Sequence, residues 1–344
     1  MSRYIIRRLL QAIPLLFFVS IILFVLMGQM GDPIATMGGR RVTRPADRER
    51  LTRQLGLDQP GYMQYLYWLV GNDWRQIDLD GDGVPDTTGT RRGILRGDFG
   101  MSLMKRGQSA WEVIWDRVPN TLLLMVTSEV VIIIFALLIG VFSALRQYSL
   151  ADHVITAVSF IGYSTPIFFF ALLSIYIFSV NFKRWGLPSL PAVGMFDPQV
   201  GRTPGQVALH MILPVATITF VSIAAYSRYI RSTMLEVLNE DYIRTARAKG
   251  LRNRYILFVH ALKNAALPIV TLIGLDLALL LGGALVTERI FAWPGMGRLF
   301  LDHMQRFDTP VVMGILILLS VTVIVFQIIT DLTYALLDPR IRYD

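Results

Sequence analysis

Asp78, Asp80 and Asp82 stand on alternate residues of one short acidic stretch, DLDGDGVPD. Oxygen ligands at positions 1, 3 and 5 of a tight turn suit a hard cation, as in an EF-hand-type loop. Gly83 then falls at position 6, the Val84 carbonyl at 7 and Asp86 at 9, but position 12, where a bidentate Glu belongs, is Gly89. The spacing predicts a weak, structural Ca2+ site built from Asp78, Asp80, Asp82, Val84 and Asp86, with a solvated acidic turn as the alternative. Two further carboxyl groups, Glu129 and Asp276, lie inside strongly apolar stretches. Ionisable side chains there are costly and are functional candidates by default. They either face a water-filled path, where they would meet a cationic group, or make hydrogen bonds inside a helix bundle or stay protonated there. A Walker-type cradle for nucleotide phosphates is excluded, since there is no G-x-x-x-x-G-K-[ST] and none of the four lysines follows a glycine. The four histidines, His153, His210, His260 and His303, are scattered and read as packing or interface residues. No Ser/His/Asp set can be picked out. The absence of Cys rules out disulfides, thiolate metal sites and cysteine nucleophiles.

The elements that position these residues are mostly apolar. Hydrophobic residues make up 53% of the chain and the mean hydropathy is +0.51, which places it among integral membrane proteins. A helix needs about 20 apolar residues to cross a bilayer. Six runs meet that length, at about 9–30, 120–145, 156–180, 207–227, 267–286 and 310–330. The first follows Arg3, Arg7 and Arg8 as a signal peptide would, but it is too long for an h-region and no small-x-small site follows, so it reads as an uncleaved span. The net charge of +8 is accounted for by basic residues kept on the cytoplasmic side, and no basic soluble patch offers itself to nucleic acid. Residues 228–263 carry eight basic side chains against three acidic, whereas 288–308 carry three of each. The positive-inside rule therefore places the N-terminus, the 228–263 loop and, with six spans, the C-terminus in the cytoplasm. The chain divides into an N-terminal tail and first span (1–30), a long extracytoplasmic loop (31–119) and a core of five spans (120–344).

The outer loop has structure of its own. LTRQLGLDQPGYMQYLYWLV reads as helical, with Tyr62, Tyr65, Trp68 and Leu69 as an aromatic stripe. SAWEVIWDRVP places Trp111, Ile114, Trp115 and Val118 at helical spacing. Both stripes suit the membrane boundary, or packing against the protein's own spans. On the cytoplasmic side, EDYIRTARAKG carries start and stop signals. Asn239 is the expected N-cap, Glu240 and Asp241 lie in the first turn, Arg247 and Lys249 in the last, and Gly250 falls at C′. Glu240 and Arg244 are spaced for an i,i+4 pair. Leu235, Leu238, Tyr242 and Ala246 form an apolar stripe beside the charges. Such a helix either docks into a groove on a partner or is a plain basic surface helix.

Leu235, eight residues, Arg244-Thr245-Ala246, three residues, Gly250-Leu251 and the later Leu262-Lys263 resemble the EAA loop of the inner-membrane permeases of binding-protein-dependent ABC importers. The one departure is Arg-Thr-Ala where the name motif reads Glu-Ala-Ala, a variant common in the dipeptide/oligopeptide/nickel branch. RYIIRRLLQAIP, LGLDQP, GDFGMSL, RVPNTLLL, GYSTPIFFFALL, TERIFAWPGMGRLF and DLTYALLDPRIR are similar to the same branch, and to its first, B-type, permease. The resemblance covers nearly the whole chain except about 71–92.

It implies an all-α membrane protein with the six spans of the type I importer permeases, in a bacterial or archaeal inner membrane. It also implies a second, homologous permease sharing the pore, two cytoplasmic ATPases that hold the ATP and Mg2+, and an extracytoplasmic solute-binding protein. The implied coupling helix is Glu240, Asp241, Tyr242, Arg244, Thr245, Ala246, Arg247, Lys249 and Gly250, and the chain itself would hydrolyse nothing. Peptides are the implied cargo, with nickel chelates, glutathione-like molecules or oligosaccharides as alternatives. An ion-coupled secondary transporter is the distant rival. It would need repeats or an acid relay, and the chain shows neither.

Overall fold

The structure is a computed structural model describing residues 2–29, 34, 45–105, 107–265, 267–280 and 284–337. The C-terminal LDPRIRYD is outside the described residues from 338 onward, so the expected placement of the C-terminus is outside them too.

Among the described residues, five helices are long and apolar enough to cross a membrane: Tyr4–Gly28, Ala110–Leu145, Ile167–Arg184, Pro204–Leu238 and Thr309–Thr333. In chain order the helices are α1 (Ser2–Gly28), α2 (Pro45–Leu55), α3 (Gly61–Leu69), α4 (Ala110–Trp115), α5 (Val118–Leu145), α6 (Leu150–Ser164) and α7 (Ile167–Arg184, π-helical over Ile175–Asn181). They continue with α8 (Pro204–Leu238), α9 (Asp241–Ala248), α10 (Asn253–Tyr255, π-helical Ile256–Ala261 and Leu262–Ala265), α11 (Leu267–Leu280), α12 (Leu285–Ile290), α13 (Met296–Met304) and α14 (Thr309–Leu337). β1 (Gln76–Ile77) and β2 (Thr87–Thr88) pair antiparallel.

Three expectations need correcting. The run at 156–180 is not one helix. It breaks at Thr165-Pro166, because the proline ring disfavours α geometry at the residue before it. Thr165 is extended (φ −84°, ψ 125°), and α6 and α7 lie on either side. The run at 267–286 yields a described helix of 14 residues, about 21 Å long, with 281–283 outside the described residues. LTRQLGLDQPGYMQYLYWLV is likewise two helices, α2 and α3, separated by a turn in which Gly56 takes φ +72° and Pro60 precedes the next helix.

The chain forms two compact units. One comprises Ile6–Pro119 and Leu299–Val321. In it, the aromatic stripe of α3 packs on α1. The Tyr65 hydroxyl lies 2.7 Å from Ser20 Oγ, and the Tyr65 and Trp68 rings meet Phe24. Tyr65 and Trp68 thus pack on the protein's own span, while Tyr62 of the same stripe is exposed. Met27, Val312 and Met313 form the adjoining core.

This unit is pinned by Asp308. Its carboxylate accepts from Ser102 Oγ (2.6 Å), Leu103 N (3.0 Å) and Met104 N (3.1 Å), and pairs with His303 Nδ1 (2.8 Å). The GDFGMSL stretch is thus tied to the start of α14. Burial opposes the charge on Asp308, but the bonds from His303, Ser102 and the two amides outweigh it and hold the carboxyl below its ordinary value. A depressed carboxyl stabilises the fold fully above the unfolded pKa, near 3.9, and the contribution fades only as pH falls toward the folded value. The anchor is therefore intact throughout neutral pH. Asp308→Ala leaves four donors unpaired and should cost about 3–5 kcal/mol, seen as a lowered melting temperature of the purified transporter in detergent.

The second unit comprises Met1–Ile5, Asn120–Arg298 and Thr322–Asp344. Its core gathers α5, α8, α9 and α10 around Ile132, Ile230, Met234, Ile243 and Trp293. α6 and α7 pack against α8, with Phe170 stacked on Phe220 at 4.1 Å. The N- and C-terminal family motifs meet where Tyr4 donates to Asp331 at 2.5 Å.

Candidate functional site

α8 ends at Asn239, whose side chain turns back to donate to Leu235 O (2.9 Å). Asn239 therefore closes α8 and does not cap α9. The N-cap of α9 is Glu240, with no side-chain cap bond. The expected Glu240–Arg244 pair is replaced by Arg244 to Asp241 at 3.3 Å, with both groups solvated. The buried face of α9 is Ile243 and Ala246, which insert into the core of the second unit. Tyr242, expected on that face, is exposed, and Asn264 donates to its hydroxyl (3.0 Å). Periodicity explains the change: Ile243 and Ala246 are three apart and share a face, which turns Tyr242 and all the charges outward. Glu240, Asp241, Arg244, Thr245, Arg247 and Lys249 are accordingly exposed. Gly250 takes φ +76° with open space where a Cβ would stand, as the expected stop signal requires.

Glu129 and Asp276 come together through a residue that the sequence did not single out. The Tyr226 hydroxyl lies 3.0 Å from Glu129 Oε1 and 2.7 Å from Asp276 Oδ2. Glu129 and Tyr226 are each 3% exposed, Asp276 is half-buried, and Glu129 Oε2 has no partner. The bundle hydrogen bond, one of the readings open at the outset, is thus present. No sequence signal marks Tyr226, because the pairing of α5, α8 and α11 is invisible in any one of them.

A second cluster joins two family motifs. Trp293 Nε1 donates to Asn120 O (3.0 Å) and Asn120 Nδ2 to Pro294 O (3.0 Å). Thr121 Oγ1 donates to Glu288 Oε1 (3.1 Å), the Met296 amide donates to Thr121 Oγ1 (2.6 Å), and the Arg298 amide donates to Glu288 Oε2 (3.0 Å). Burial pushes the Glu288 carboxyl up, against these bonds. Gly295 leaves room for it, since a Cβ there would lie 2.3 Å from Glu288 Oε1.

The acidic turn follows β1. Asp78 accepts the amides of Gly81 and Gly83, Asp80 that of Asp82, Asp82 that of Val84, and Asp86 that of Leu79. Carboxylate oxygens of Asp78, Asp80 and Asp86 lie within 4.8 Å of one another. Asp82 is outside that group, its oxygen turned to its own loop. The hydrogen bonds to Gly81 and Gly83 hold Asp78 below its ordinary value.

A mostly helical chain with several bilayer-length apolar helices among its described residues falls in the class of multi-pass membrane proteins. The comparisons with known proteins name the family. Residues 136–343 match the binding-protein-dependent transport system inner membrane component, and residues 1–125 match the N-terminal part of such membrane components; the chain belongs to this family. It is similar to the oligopeptide transport system permease protein AppB of Bacillus subtilis (strain 168), 40% identical with 100% of both chains covered. It is also 36% identical to the dipeptide transport system permease protein DppB of Escherichia coli (strain K12), over 100% of this chain and 99% of that one. A chain of the MetNI methionine ABC transporter, in inward-facing conformations, shares the fold with a TM-score of 0.53 and 17% identity over 66% of this chain and 97% of that chain. As a family member, the protein is an inner-membrane transport subunit that works with a binding protein and with separate subunits that hydrolyse ATP.

Proposed function

We propose that this chain forms half of a peptide translocation pathway, paired with a homologous second permease, and that α9 couples it to a cytoplasmic ATPase. The observation that carries the cargo assignment is full-length similarity to two permeases named for oligopeptides and dipeptides. The coupling role is supported by the division of α9. Ile243 and Ala246 root it in the core, while Arg244, Arg247, Lys249 and Tyr242 are free to meet acidic and apolar groups of a partner cleft. ATP closes the ATPase pair, α9 moves with it, and α8 and α11 tilt to open the path outward. Glu129 and Asp276 lie beside that path, where a carboxylate meets the cargo's ammonium.

The assembled transporter in proteoliposomes, given its binding protein and a labelled dipeptide, should import it only with ATP inside the ATPase compartment. Uptake driven by a proton gradient without ATP would overturn the assignment. Gly250→Val forces a β-branched residue into a left-handed conformation at about 1–2 kcal/mol. That tilts the end of α9 and should cut uptake about tenfold while ATP hydrolysis continues. Uptake at the wild-type rate would remove the coupling role.

Asp78, Asp80 and Asp86, with Asp82 and the Val84 carbonyl swinging in, would hold Ca2+ weakly, for want of a bidentate carboxylate at Gly89. Calorimetry on the full-length protein should show binding with Kd of about 0.1–1 mM, lost in Asp78→Asn. No heat at millimolar Ca2+ would leave a solvated turn.

A further inference from the structure

A second polar site lies between α5, α6 and α8. It is a cavity of about 110 Å³ whose polar lining is Ser143, Thr156, Ser159, Ser227, Arg228 and Arg231. Two of these are already engaged. Arg231 donates to Asp152 through Nε (3.2 Å) and Nη2 (3.0 Å), and Ser143 donates to the same carboxylate. Asp152, pulled down to about 2 first by Ser143 and then by Arg231 and the Tyr148 amide, is fully charged and cancels Arg231.

The others have no hydrogen-bond partner among the described residues: the hydroxyls of Thr156, Ser159 and Ser227, and the guanidinium of Arg228. Arg228 is held instead over the faces of Phe160 (5.0 Å) and Tyr163 (5.4 Å), a cation–π arrangement that positions it without using its N–H donors. Ser227 is 4% exposed. Its hydroxyl opens onto the cavity and offers an unused donor to a polar occupant.

The charge and depth of the cavity restrict that occupant. With Arg231 neutralised by Asp152, one uncompensated positive charge remains, on Arg228. Ser143 lies two residues from the end of α5, and Arg231 seven from the end of α8, about 10 Å of rise. Both ends face the cytoplasm under the positive-inside assignment, so the cavity sits at the depth of the inner-leaflet headgroups. Val154, Val158 and Ile161, on the same helix as Thr156 and Ser159, are exposed and offer an apolar surface to acyl chains. Basic pockets between membrane helices on this side are a recurrent setting for anionic headgroups, and a guanidinium matches a phosphate in shape.

We propose that this cavity binds the phosphodiester headgroup of an anionic phospholipid from the cytoplasmic leaflet. The single negative charge of a phosphodiester balances Arg228. Its free oxygens accept from that guanidinium and from Ser227, Ser159 and Thr156, while the acyl chains lie along α6.

Native mass spectrometry of the assembled transporter tests this, after exchange into detergent and titration with phosphatidylglycerol or, as control, phosphatidylcholine. The wild type should retain phosphatidylglycerol selectively. Arg228→Gln, which removes the charge at an exposed position, should weaken retention about tenfold or more, and Ser227→Ala about threefold to tenfold. Because Ser227→Ala removes one oxygen and adds no bulk, it keeps the test decisive if the arginine variant assembles poorly. Equal retention of both lipids, or unchanged retention in both variants, would overturn the proposal. So would displacement of the lipid by millimolar inorganic phosphate, which would assign the site to a free anion, or by the transported peptide, which would assign it to a cargo carboxylate.

Discussion

Arg244→Glu combined with Arg247→Glu should abolish ATP-driven uptake while leaving a folded, membrane-inserted protein. Both side chains are exposed, and the one ion pair either makes among the described residues, Arg244 with Asp241, is solvated. Substitutions at such positions move stability by no more than about 0.5 kcal/mol, so the core beneath Ile243 and Ala246 stays as it is. The effect falls on the partner. Two reversals in a cleft built for positive charge set like charges against each other, at about 2–5 kcal/mol for a close pair. That weakens association with the ATPase by about 30- to several-thousand-fold. The measurements are co-purification of the ATPase subunits and uptake in proteoliposomes, with size-exclusion chromatography to confirm the fold. Intact co-purification and uptake would show that α9 is an ordinary basic surface helix.

Gly295→Val should have the largest effect on the fold. The Cβ alone would stand 2.3 Å from Glu288 Oε1, 2.4 Å from its carboxyl carbon and 2.5 Å from Oε2. The carboxyl has nowhere to go, because Thr121 and the Arg298 amide hold its two oxygens and the residue is wholly buried. Overpacking of this kind costs about 1–3 kcal/mol. Expelling the carboxyl would add about 1–3 kcal/mol for the buried donors left behind. The sum is a large fraction of a typical domain's stability, so the variant should fail to give a monodisperse complex in detergent. Glu288→Ala in the same chain removes the clash, and a partial rescue would confirm that the two positions are coupled. A melting temperature within a degree or two of wild type for Gly295→Val alone would contradict the geometry.

The two variants also show which parts of the molecule local pattern reveals. Apolar length marks α1, α5, α8 and α14, because a span needs only composition and 1.5 Å of rise per residue. The charge order along 240–250 places α9, and Gly250 its end. What failed was register. Asn239 is a good cap residue, but the chain had not yet left α8. Tyr242 belongs to a plausible stripe, but Ile243 and Ala246 were the better-spaced pair. Pro166 was in plain view inside an apolar run, and the break it causes was lost because length alone defined the span.

The polar clusters were harder, and for a different reason. Glu288 meets Thr121, Asp308 meets Ser102, and Tyr226 meets both Glu129 and Asp276, across separations that no window of 10–20 residues contains. The motifs containing RVPNT and FAWPGMG could be read as similar to a family. That Asn120 and Trp293 grip each other could not, since nothing in either segment names its partner. Asp78, Asp80 and Asp86 were visible because a turn keeps its ligands adjacent in sequence.

Only Asn239 and Glu240 separate the last residue of α8 from the first of α9, and two residues of chain reach about 7 Å at full stretch. Their backbone is already spent in turns onto Glu236 and Val237. The joint therefore has almost no slack. A pull on α9 longer than that tether is not absorbed by uncoiling, and the 35-residue rod of α8 must move with it along its whole length.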